Sequence, residues 1–279
     1  LDAMDRNIER MARFAQQQGV LWRPHAKLHK SAHIAHLLEH AGAIGHCVQK
    51  ISEAEALAAG GITNIFISNE VIAPTKLARV AALAKALNAQ GGHLAICVDS
   101  EEGVTRLAKA MQDAQAGDAA IDVLVEINVG QNRCGVEPGV DAVLLINAIK
   151  PHASLRFAGL QAYHGGAQHL RSAEERKAAI EQVLRLVNRT RHECDHAMIR
   201  IPLITGAGTG TMVNEAASGV YGEIQPGSFL FMDADYAANQ RDAAQPMFEH
   251  ALYVKTQVMS VSADHAVCDA GHKAHAIDS

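Results

Sequence analysis

The 279-residue sequence contains no apolar run long enough to cross a membrane and no recognisable signal peptide. Its net charge of −5 gives no excess of basic residues for nucleic acid. The five cysteines are odd in number and lie mostly in apolar, strand-like runs, so we expect buried thiols rather than a disulfide framework. These absences argue against a membrane protein, a nucleic-acid-binding protein and a disulfide-rich secreted domain. We expect a cytoplasmic protein.

Apolar residues, by contrast, make up 48% of the chain, enough to fill a large core. Short apolar runs alternate with amphipathic stretches of helical spacing, a pattern that indicates βαβ units and a parallel sheet. It predicts an α/β protein with a (β/α)8 barrel, which needs eight strands in about 250 residues. The predicted strands lie near 20–26, 44–49, 64–69, 94–99, 122–129, 156–163 and 200–205, and the predicted helices near 31–41, 51–59, 74–89, 101–115, 137–149 and 172–192.

The two ends of the sequence suggest how the domains are arranged. The residues from Leu1 to Asp5 already have the pattern of a helix start, so we expect a first barrel strand before Leu1. We assign residues 1–244 to the barrel. After residue 245 the helical spacing stops, and the segments 251–261 and 265–270 predict antiparallel strands. We assign residues 245–279 to the start of a second, all-β domain that this chain contains only in part.

The segment from Arg23 to Lys30 (RPHAKLHK) places Lys27 after a short apolar run and among several cationic or titratable side chains. Positive charge nearby disfavours an ammonium group. An amine that is partly neutral forms Schiff bases with carbonyl compounds, as the lysines that carry pyridoxal 5'-phosphate (PLP) do. A solvated surface lysine is the alternative that this motif alone leaves open.

A glycine-rich segment, Thr205 to Thr211 (TGAGTGT), follows another apolar run. Backbone N–H groups without bulky side chains around them can converge on a phosphate group. Such a segment can also be a plain turn, but its late position in a barrel, where phosphate sites recur, favours the phosphate site.

The sixteen histidines include two pairs with the i,i+4 spacing of zinc ligands, His29 with His33 and His36 with His40. No cysteine or carboxylate joins these pairs at a motif spacing, and the same helix carries an ordinary apolar stripe. We therefore interpret them as surface histidines of a solvated helix, and we expect no metal ligands within the sequence.

Blocks of sequence that run in order along nearly the whole chain resemble the D-threonine aldolase and D-serine dehydratase family, and most of all its D-threonine aldolases. That family consists of PLP enzymes with an alanine-racemase-like barrel and a second, all-β domain. The blocks are Arg23 to Lys30, Cys47 to Glu55 (CVQKISEAE), Ile67 to Glu70 (ISNE), Asp122 to Val136 (DVLVEINVGQNRCGV), Gly159 to His169 (GLQAYHGGAQH), Thr205 to Thr211, and Gly219 to Tyr236 (GVYGEIQPGSFLFMDADY).

The resemblance implies a role for each matching residue. Lys27 would carry PLP, Arg133 would lie near the phenolate oxygen of the cofactor, and His164, beside Tyr163, would pack against its ring. His169, in the loop that follows, would be the general base that takes the β-hydroxyl proton of the substrate. The remaining implied cofactor-binding residues, mostly around the phosphate group, are Thr205, Gly206, Gly208, Thr209, Gly210, Gln225, Gly227 and Ser228.

By this resemblance the protein is a PLP-dependent aldolase that cleaves D-threonine to glycine and an aldehyde, with D-3-hydroxyaspartate as the next substrate. A divalent metal would assist, Mn²⁺ first and Mg²⁺, Co²⁺ or Zn²⁺ as alternatives, with ligands expected C-terminal to Ser279. The resemblance also implies a homodimer. The alternatives are a D-serine or 3-hydroxyaspartate dehydratase, an amino-acid racemase of the same fold, and a non-catalytic PLP carrier.

Overall fold

A computed structural model describes residues 1–117 and 119–271, along which strands and helices alternate. The strands are β1 (Leu21–Trp22), β2 (His46–Val48), β3 (Asn64–Glu70), β4 (His93–Val98), β5 (Ile121–Glu126), β6 (Leu155–Ala162), β7 (Ile204–Gly206), β8 (Glu223–Ile224), β9 (Val258–Val261) and β10 (Ala266–Cys268). The α-helices are α1 (Asp2–Gln18), α2 (Ala32–His40), α3 (Ile51–Ala59), α4 (Pro74–Asn88), α5 (Glu101–Asp113), α6 (Val140–Ile149), α7 (Ala173–His196), α8 (Met212–Ala217) and α9 (Ala234–Ala237).

The first eight strands form one parallel sheet in the order β1-β8-β7-β6-β5-β4-β3-β2. The first strand therefore pairs with the last. Backbone contacts close the remaining gap between β1 and β2: the Ile44 N–H donates to the Trp22 carbonyl at 3.1 Å, and His25 forms a parallel bridge with Cys47. The sheet closes on itself, and the predicted (β/α)8 barrel is confirmed.

Side chains alternate across the wall of the barrel, as the period of two in a strand requires. Cys47, Phe66, Cys97 and Leu124, one from each of β2 to β5, pack together inside the barrel. Val123, which precedes Leu124, belongs instead to the large apolar cluster between the strands and the surrounding helices. Strands that are buried on both faces read as continuous apolar runs, which is why the sequence pattern located them.

The seven predicted strands correspond to β1 to β7, although β1 has only two residues and β7 begins at Ile204. The sequence analysis missed β8, because a strand of two residues, Glu223 and Ile224, has no detectable period. Eight strands therefore lie between Leu21 and Ile224, and the strand expected before Leu1 is not required to close the sheet.

The chain after residue 245 first runs along α1. Phe248 belongs to the same apolar cluster as Met11, and the Glu249 carboxylate pairs with Arg6 at 2.7 Å and Arg10 at 2.6 Å. The predicted antiparallel strands then follow as β9 and β10, whose side chains are exposed. Residues 272–279 lie outside the described part of the chain, and the second, all-β domain stays a prediction.

The five cysteine thiols are free. Cys47, Cys97 and Cys194 are buried, as the apolar runs around them predict, whereas Cys134 is half-buried and Cys268 is exposed. Within residues 1–117 and 119–271, no helix combines the length and the apolar character needed to cross a membrane.

Candidate active site

Lys27 directly follows the segment that closes the barrel between β1 and β2. This segment is fixed by backbone hydrogen bonds, from the His25 N–H to the Pro226 carbonyl at 3.1 Å and from the Ala26 N–H to the Cys47 carbonyl at 2.7 Å. Lys27 lines an open pocket at the carboxyl ends of the strands. Barrel enzymes build their active sites at this end.

The surroundings of Lys27 make its amine easier to deprotonate. Partial burial of the amine at the pocket wall lowers the pKa of Lys27, although the side chain stays exposed to the open pocket, and the positive charge of Arg133 lowers this pKa further. The predicted direction of the pKa shift is therefore right, but the cause is different. Burial has the largest effect, and the cation that acts is Arg133, on the loop after β5, rather than a neighbour in the sequence. Lys30 instead lies 3.6 Å from the Glu53 carboxylate.

The pocket brings together most of the predicted site residues. Those that line it are Lys27, Arg133, Tyr163, Gly208, Thr209, Gln225, Gly227 and Ser228. The pocket also has lining residues to which the sequence analysis gave no role: His25, Leu28, Gln49, Ser68, Gln161, Ala207 and Tyr236. All of the latter lie in the blocks that resemble the aldolase and dehydratase family, so their position in those blocks was the available signal. No spacing or residue pattern marked them individually.

Two predicted residues of β7 lie beneath the pocket rather than in its lining. The Thr205 hydroxyl accepts a hydrogen bond from Gln225 Nε2 at 2.8 Å and donates one to Glu223 Oε1 at 2.7 Å, so it supports Gln225 from below. At Gly206, a Cβ atom would lie 2.2 Å from the carbonyl oxygen of Ala162. Glycine is needed there because the backbones of β6 and β7 approach so closely.

Gly210 and His164 also lie outside the lining. The Gly210 N–H already donates to Gln168 Oε1 at 2.9 Å, so it is not free to bind a phosphate group. His164 accepts a hydrogen bond at Nδ1 from the Ala167 N–H at 3.3 Å, and burial lowers its pKa. Its Nε2 would lie 3.1 Å from a Cβ atom at Gly130, so glycine gives this ring its space.

The rim of the pocket offers backbone donors for an anion. The N–H groups of Gly208, Thr209, Gly227 and Ser228 donate to no protein acceptor within the described part of the chain. The two loops that carry them are joined by a hydrogen bond of 3.0 Å from the Phe229 N–H to the Thr209 hydroxyl. Convergent backbone N–H groups without competing acceptors bind phosphate groups. These residues therefore fit the phosphate group of PLP.

His25 and Ser68 form a neutral wall beside Lys27. Burial lowers the pKa of His25 well below its ordinary value, and the charge on Lys27 adds to this effect. His25 Nδ1 accepts from the backbone N–H of Lys27 at 3.3 Å, so the ring carries its proton on Nε2, 3.1 Å from the Ser68 hydroxyl. The imidazole is thereby fixed in one tautomer, and it adds no charge to the pocket.

The floor of the pocket is a buried polar network. Gln225 Nε2 donates to Gln161 Oε1 at 2.8 Å, and both side chains line the pocket. Below them, Arg23 Nε lies 3.1 Å from Glu223 Oε2, with side chains that are 11% and 1% exposed. Because its polar groups have partners, such a network holds the floor in one arrangement.

His169 ends a short 3₁₀ turn, Gly166–His169, and lies outside the pocket lining. Its Nδ1 is 2.7 Å from Asp235 Oδ2, and Arg171 pairs with the same carboxylate. The ring also packs edge-on against Tyr236, with 5.8 Å between the ring centroids. Since Tyr236 lines the pocket, His169 is separated from it by a single side chain.

Of the paired histidines, His33, His36 and His40 lie on α2 and are exposed or half-buried. The prediction is wrong for His29, which precedes the helix and is half-buried, so that burial lowers its pKa to about 4. His40 Nδ1 lies 2.6 Å from the carbonyl oxygen of His36, and His36 Nε2 lies 2.8 Å from the carbonyl oxygen of Gly60. Within residues 1–117 and 119–271, one group of three potential metal ligands lies close together, and it contains none of these histidines. Its members are Glu70, Asp99 and Cys134. The sequence analysis missed it because the three residues are far apart in the sequence.

Comparison with known proteins identifies the family to which this chain is related. Residues 1–235 match the family described as "Alanine racemase, N-terminal domain". The chain is 42% identical over 274 residues to a D-threonine aldolase of Arthrobacter sp, covering 98% of this chain and 70% of that protein. It is 39% identical over 285 residues to a 3-hydroxy-D-aspartate aldolase of Paracoccus denitrificans, covering 100% and 72%.

The fold agrees with these sequence relationships. The crystal structure of D-threonine aldolase from Filomicrobium marinum superposes with a TM-score of 0.94 at 46% identity, covering 100% of this chain and 73% of that one. The barrel, the lysine at its rim and the sequence similarity agree, and the chain belongs to the alanine racemase N-terminal domain family, in the group that contains the D-threonine and 3-hydroxy-D-aspartate aldolases.

Proposed function

We propose that this protein is a PLP- and metal-dependent aldolase that cleaves β-hydroxy-D-amino acids, D-threonine first among them, to glycine and an aldehyde. The observation that carries the proposal is the placement of Lys27, with its lowered pKa, in one pocket with Arg133 and with free backbone donors. A nucleophilic amine, a fixed cation and an anion-binding rim are what attachment of PLP requires. Similarity to D-threonine and 3-hydroxy-D-aspartate aldolases supports the substrate class.

Six pocket residues have a task in this proposal. Lys27 would bind the cofactor covalently, and the N–H groups of Gly208, Thr209, Gly227 and Ser228 would hold its phosphate group. Arg133 would keep the phenolate oxygen ionised, because a fixed cation favours the charged form of an acid. When bound, PLP supplies a ring that accepts the electrons of the broken Cα–Cβ bond.

The proton of the β-hydroxyl group needs a base, and we assign this task to His169. The Asp235 carboxylate accepts a hydrogen bond from Nδ1 of His169, so the lone pair of the neutral ring lies on Nε2. Contact with Tyr236 places the ring next to the pocket. An imidazole so oriented can accept a proton at Nε2.

A divalent ion completes the proposal. Mn²⁺ is the first candidate, with Mg²⁺, Co²⁺ or Zn²⁺ as alternatives, and coordination to the β-hydroxyl group would make its proton easier to remove. We expect the ligands of this ion C-terminal to Ser279. A homodimer and a cytoplasmic location also stay predictions.

The proposal is tested with full-length protein, PLP and Mn²⁺, incubated with D-threonine, L-threonine or D-3-hydroxyaspartate. We expect glycine and an aldehyde from the D-substrates and neither product from L-threonine. An α-keto acid in place of glycine would identify a dehydratase, and interconversion of D- and L-amino acids would identify a racemase. A visible PLP absorption band without turnover of any substrate would leave only a carrier.

A further inference from the structure

Three potential metal ligands meet at the carboxyl ends of neighbouring strands, outside the PLP pocket. Glu70 ends β3, Asp99 directly follows β4, and Cys134 lies on the loop after β5. One ligand atom from each residue lies within 4.8 Å of those of the others. None of the three lines the pocket, but Arg133, the neighbour of Cys134, does. The group therefore lies behind the loop that presents Arg133.

A buried carboxylate, Glu126, adjoins this group and has one oxygen without a hydrogen-bond partner in the described part of the chain. The side chain of Glu126 is 6% exposed and contacts the Glu70 carboxylate. Within the described part of the chain, Glu126 Oε2 and both carboxylate oxygens of Glu70 are buried without a hydrogen-bond partner. Buried ionised oxygens need donors, protons or cations. Two carboxyl groups in contact must share a proton or a cation.

Few positive charges or hydrogen-bond donors of the protein lie next to these carboxyl groups. Arg133 Nη2 lies 3.9 Å from Glu126 Oε1, and this guanidinium is 42% exposed. Asp99 Oδ2 accepts one backbone hydrogen bond, from the Gly135 N–H at 3.2 Å. Glu70 and Asp99 have no ion pair with lysine, arginine or histidine among residues 1–117 and 119–271. A shared proton or a bound cation must therefore offset the charge of these carboxyl groups.

We propose that Glu70, Asp99 and Cys134, assisted by Glu126, bind a divalent transition-metal ion of the zinc type. A thiolate among carboxylates favours Zn²⁺ or Co²⁺, whereas Mg²⁺, Ca²⁺ and Mn²⁺ prefer oxygen ligands alone. Bond lengths of about 2.0–2.3 Å and tetrahedral angles place two ligands of one zinc ion about 3.3–3.8 Å apart. The three ligand atoms lie within 4.8 Å of one another, so binding would draw them together by at most roughly 1.5 Å.

This ion would act on the loop rather than on the substrate. The loop is already tight at Gly135, where φ is +100° and a Cβ atom would lie 2.6 Å from the backbone nitrogen of Asn128. Bonding Cys134 to the ends of β3 and β4 would fix the next residue, Arg133, at the rim of the pocket. The site is distinct from the metal site of the proposed aldolase reaction, since its ligands do not line the pocket.

The test is titration of metal-depleted, full-length protein with Co²⁺, because a cobalt–thiolate bond gives a near-ultraviolet charge-transfer band. We expect this band in the wild type and in Cys268→Ser, whose thiol is exposed on β10, and its loss in Cys134→Ser. Glu70→Gln and Asp99→Asn should weaken Co²⁺ binding by at least the roughly 10–100-fold that loss of an outer-shell partner usually costs.

A second measurement needs no variant that might misfold. In the wild type, Zn²⁺ should slow alkylation of Cys134, read by peptide mass spectrometry, while alkylation of Cys268 proceeds at an unchanged rate. A cobalt–thiolate band that persists in Cys134→Ser, or alkylation of Cys134 that is indifferent to Zn²⁺, would overturn the proposal. The carboxyl pair would then be held by a shared proton. Neither measurement depends on turnover, so failure of this proposal can be distinguished from failure of the proposed aldolase function.

Discussion

His169 Nδ1 lies 2.7 Å from Asp235 Oδ2, a contact that joins the loop after β6 to α9, some 66 residues further along the chain. A carboxylate can only accept a hydrogen bond, so this partner fixes the proton of a neutral imidazole on Nδ1. The neighbouring Tyr236 brings the same ring to the edge of the pocket. The pair thus has the arrangement of a base and the residue that orients it.

This arrangement predicts a separation of binding from turnover. His169→Ala should keep the visible band of bound PLP, because His169 does not line the pocket, but should lower kcat by about 10²–10⁴, the usual contribution of a general base. Asp235→Asn should cause a smaller loss, since the ring remains but its tautomer is no longer fixed. His192→Ala, on the exposed surface of α7, is the control. Normal turnover in His169→Ala would remove this residue from the mechanism.

Attachment of PLP should depend on one lysine. Lys27→Ala should lack the visible absorption band, whereas Lys30→Ala, which loses only a contact with Glu53 at 3.6 Å, should retain it. Borohydride reduction of the wild type followed by peptide mapping should place the label on Lys27. A label on Lys30 or Lys50 would show that the site assignment is wrong.

The pH dependence of PLP capture should report the charge on Arg133. Because Arg133 lowers the pKa of Lys27, Arg133→Gln should raise that pKa and leave less neutral amine at any given pH. The pH profile for the rate of PLP attachment, followed by absorbance, should then move to higher pH. Arg133→Lys retains the positive charge and should stay close to the wild type. Burial, the larger cause of the shift, is unchanged in both variants. A profile that does not move in Arg133→Gln would contradict the electrostatic argument.

The anion-binding rim should not tolerate a side chain at Gly208. A Cβ atom there would lie 2.5 Å from Gln168 Oε1, and this buried side chain is held by Gly210 at 2.9 Å and Thr211 at 2.7 Å. Overpacking of this kind costs about 1–3 kcal/mol. If that cost falls on the PLP-bound rim, affinity for PLP drops roughly tenfold or more. Gly271→Ala, where a Cβ atom meets nothing within 4 Å, is the control. PLP affinity is measured by titration. Equal affinities in Gly208→Val and in Gly271→Ala would argue against the rim as the phosphate site.

A stability prediction concerns Arg176 on α7, whose side chain is 1% exposed. Its guanidinium donates to the Leu170 carbonyl at 2.7 Å and to the carbonyl of Gln240, joining two segments beside His169. Arg176→Met should lower the free energy of unfolding by about 1–3 kcal/mol, because carbonyl groups lose their donor. Arg185→Met, on the exposed face of the same helix, should change it by less than about 0.5 kcal/mol. Urea denaturation measures the free energy of unfolding of both variants. Equal losses in the two would show that the buried hydrogen bonds of Arg176 do not stabilise the fold.

The sequence by itself determined the barrel and the chemistry of its rim. Strands buried on both faces must be apolar throughout, so β3, β4 and β5 were visible as runs, and the amphipathic helices between them showed the βαβ order. Lys27 and the glycines of the 205–211 segment were recognisable because their chemistry depends on local features, a strand end and the absence of side chains.

Only the tertiary structure decided which distant groups act on these residues. Arg133, rather than a sequence neighbour, adds to the burial that lowers the pKa of Lys27. Asp235 orients His169, and Glu70, Asp99 and Cys134 meet from three separate connections. The strand β8 was invisible in the sequence because two residues acquire their strand conformation from the neighbours β1 and β7. A closed parallel barrel brings the carboxyl ends of all its strands to one rim, so residues far apart in sequence become neighbours, and electrostatic and hydrogen-bond interactions depend on that distance in space.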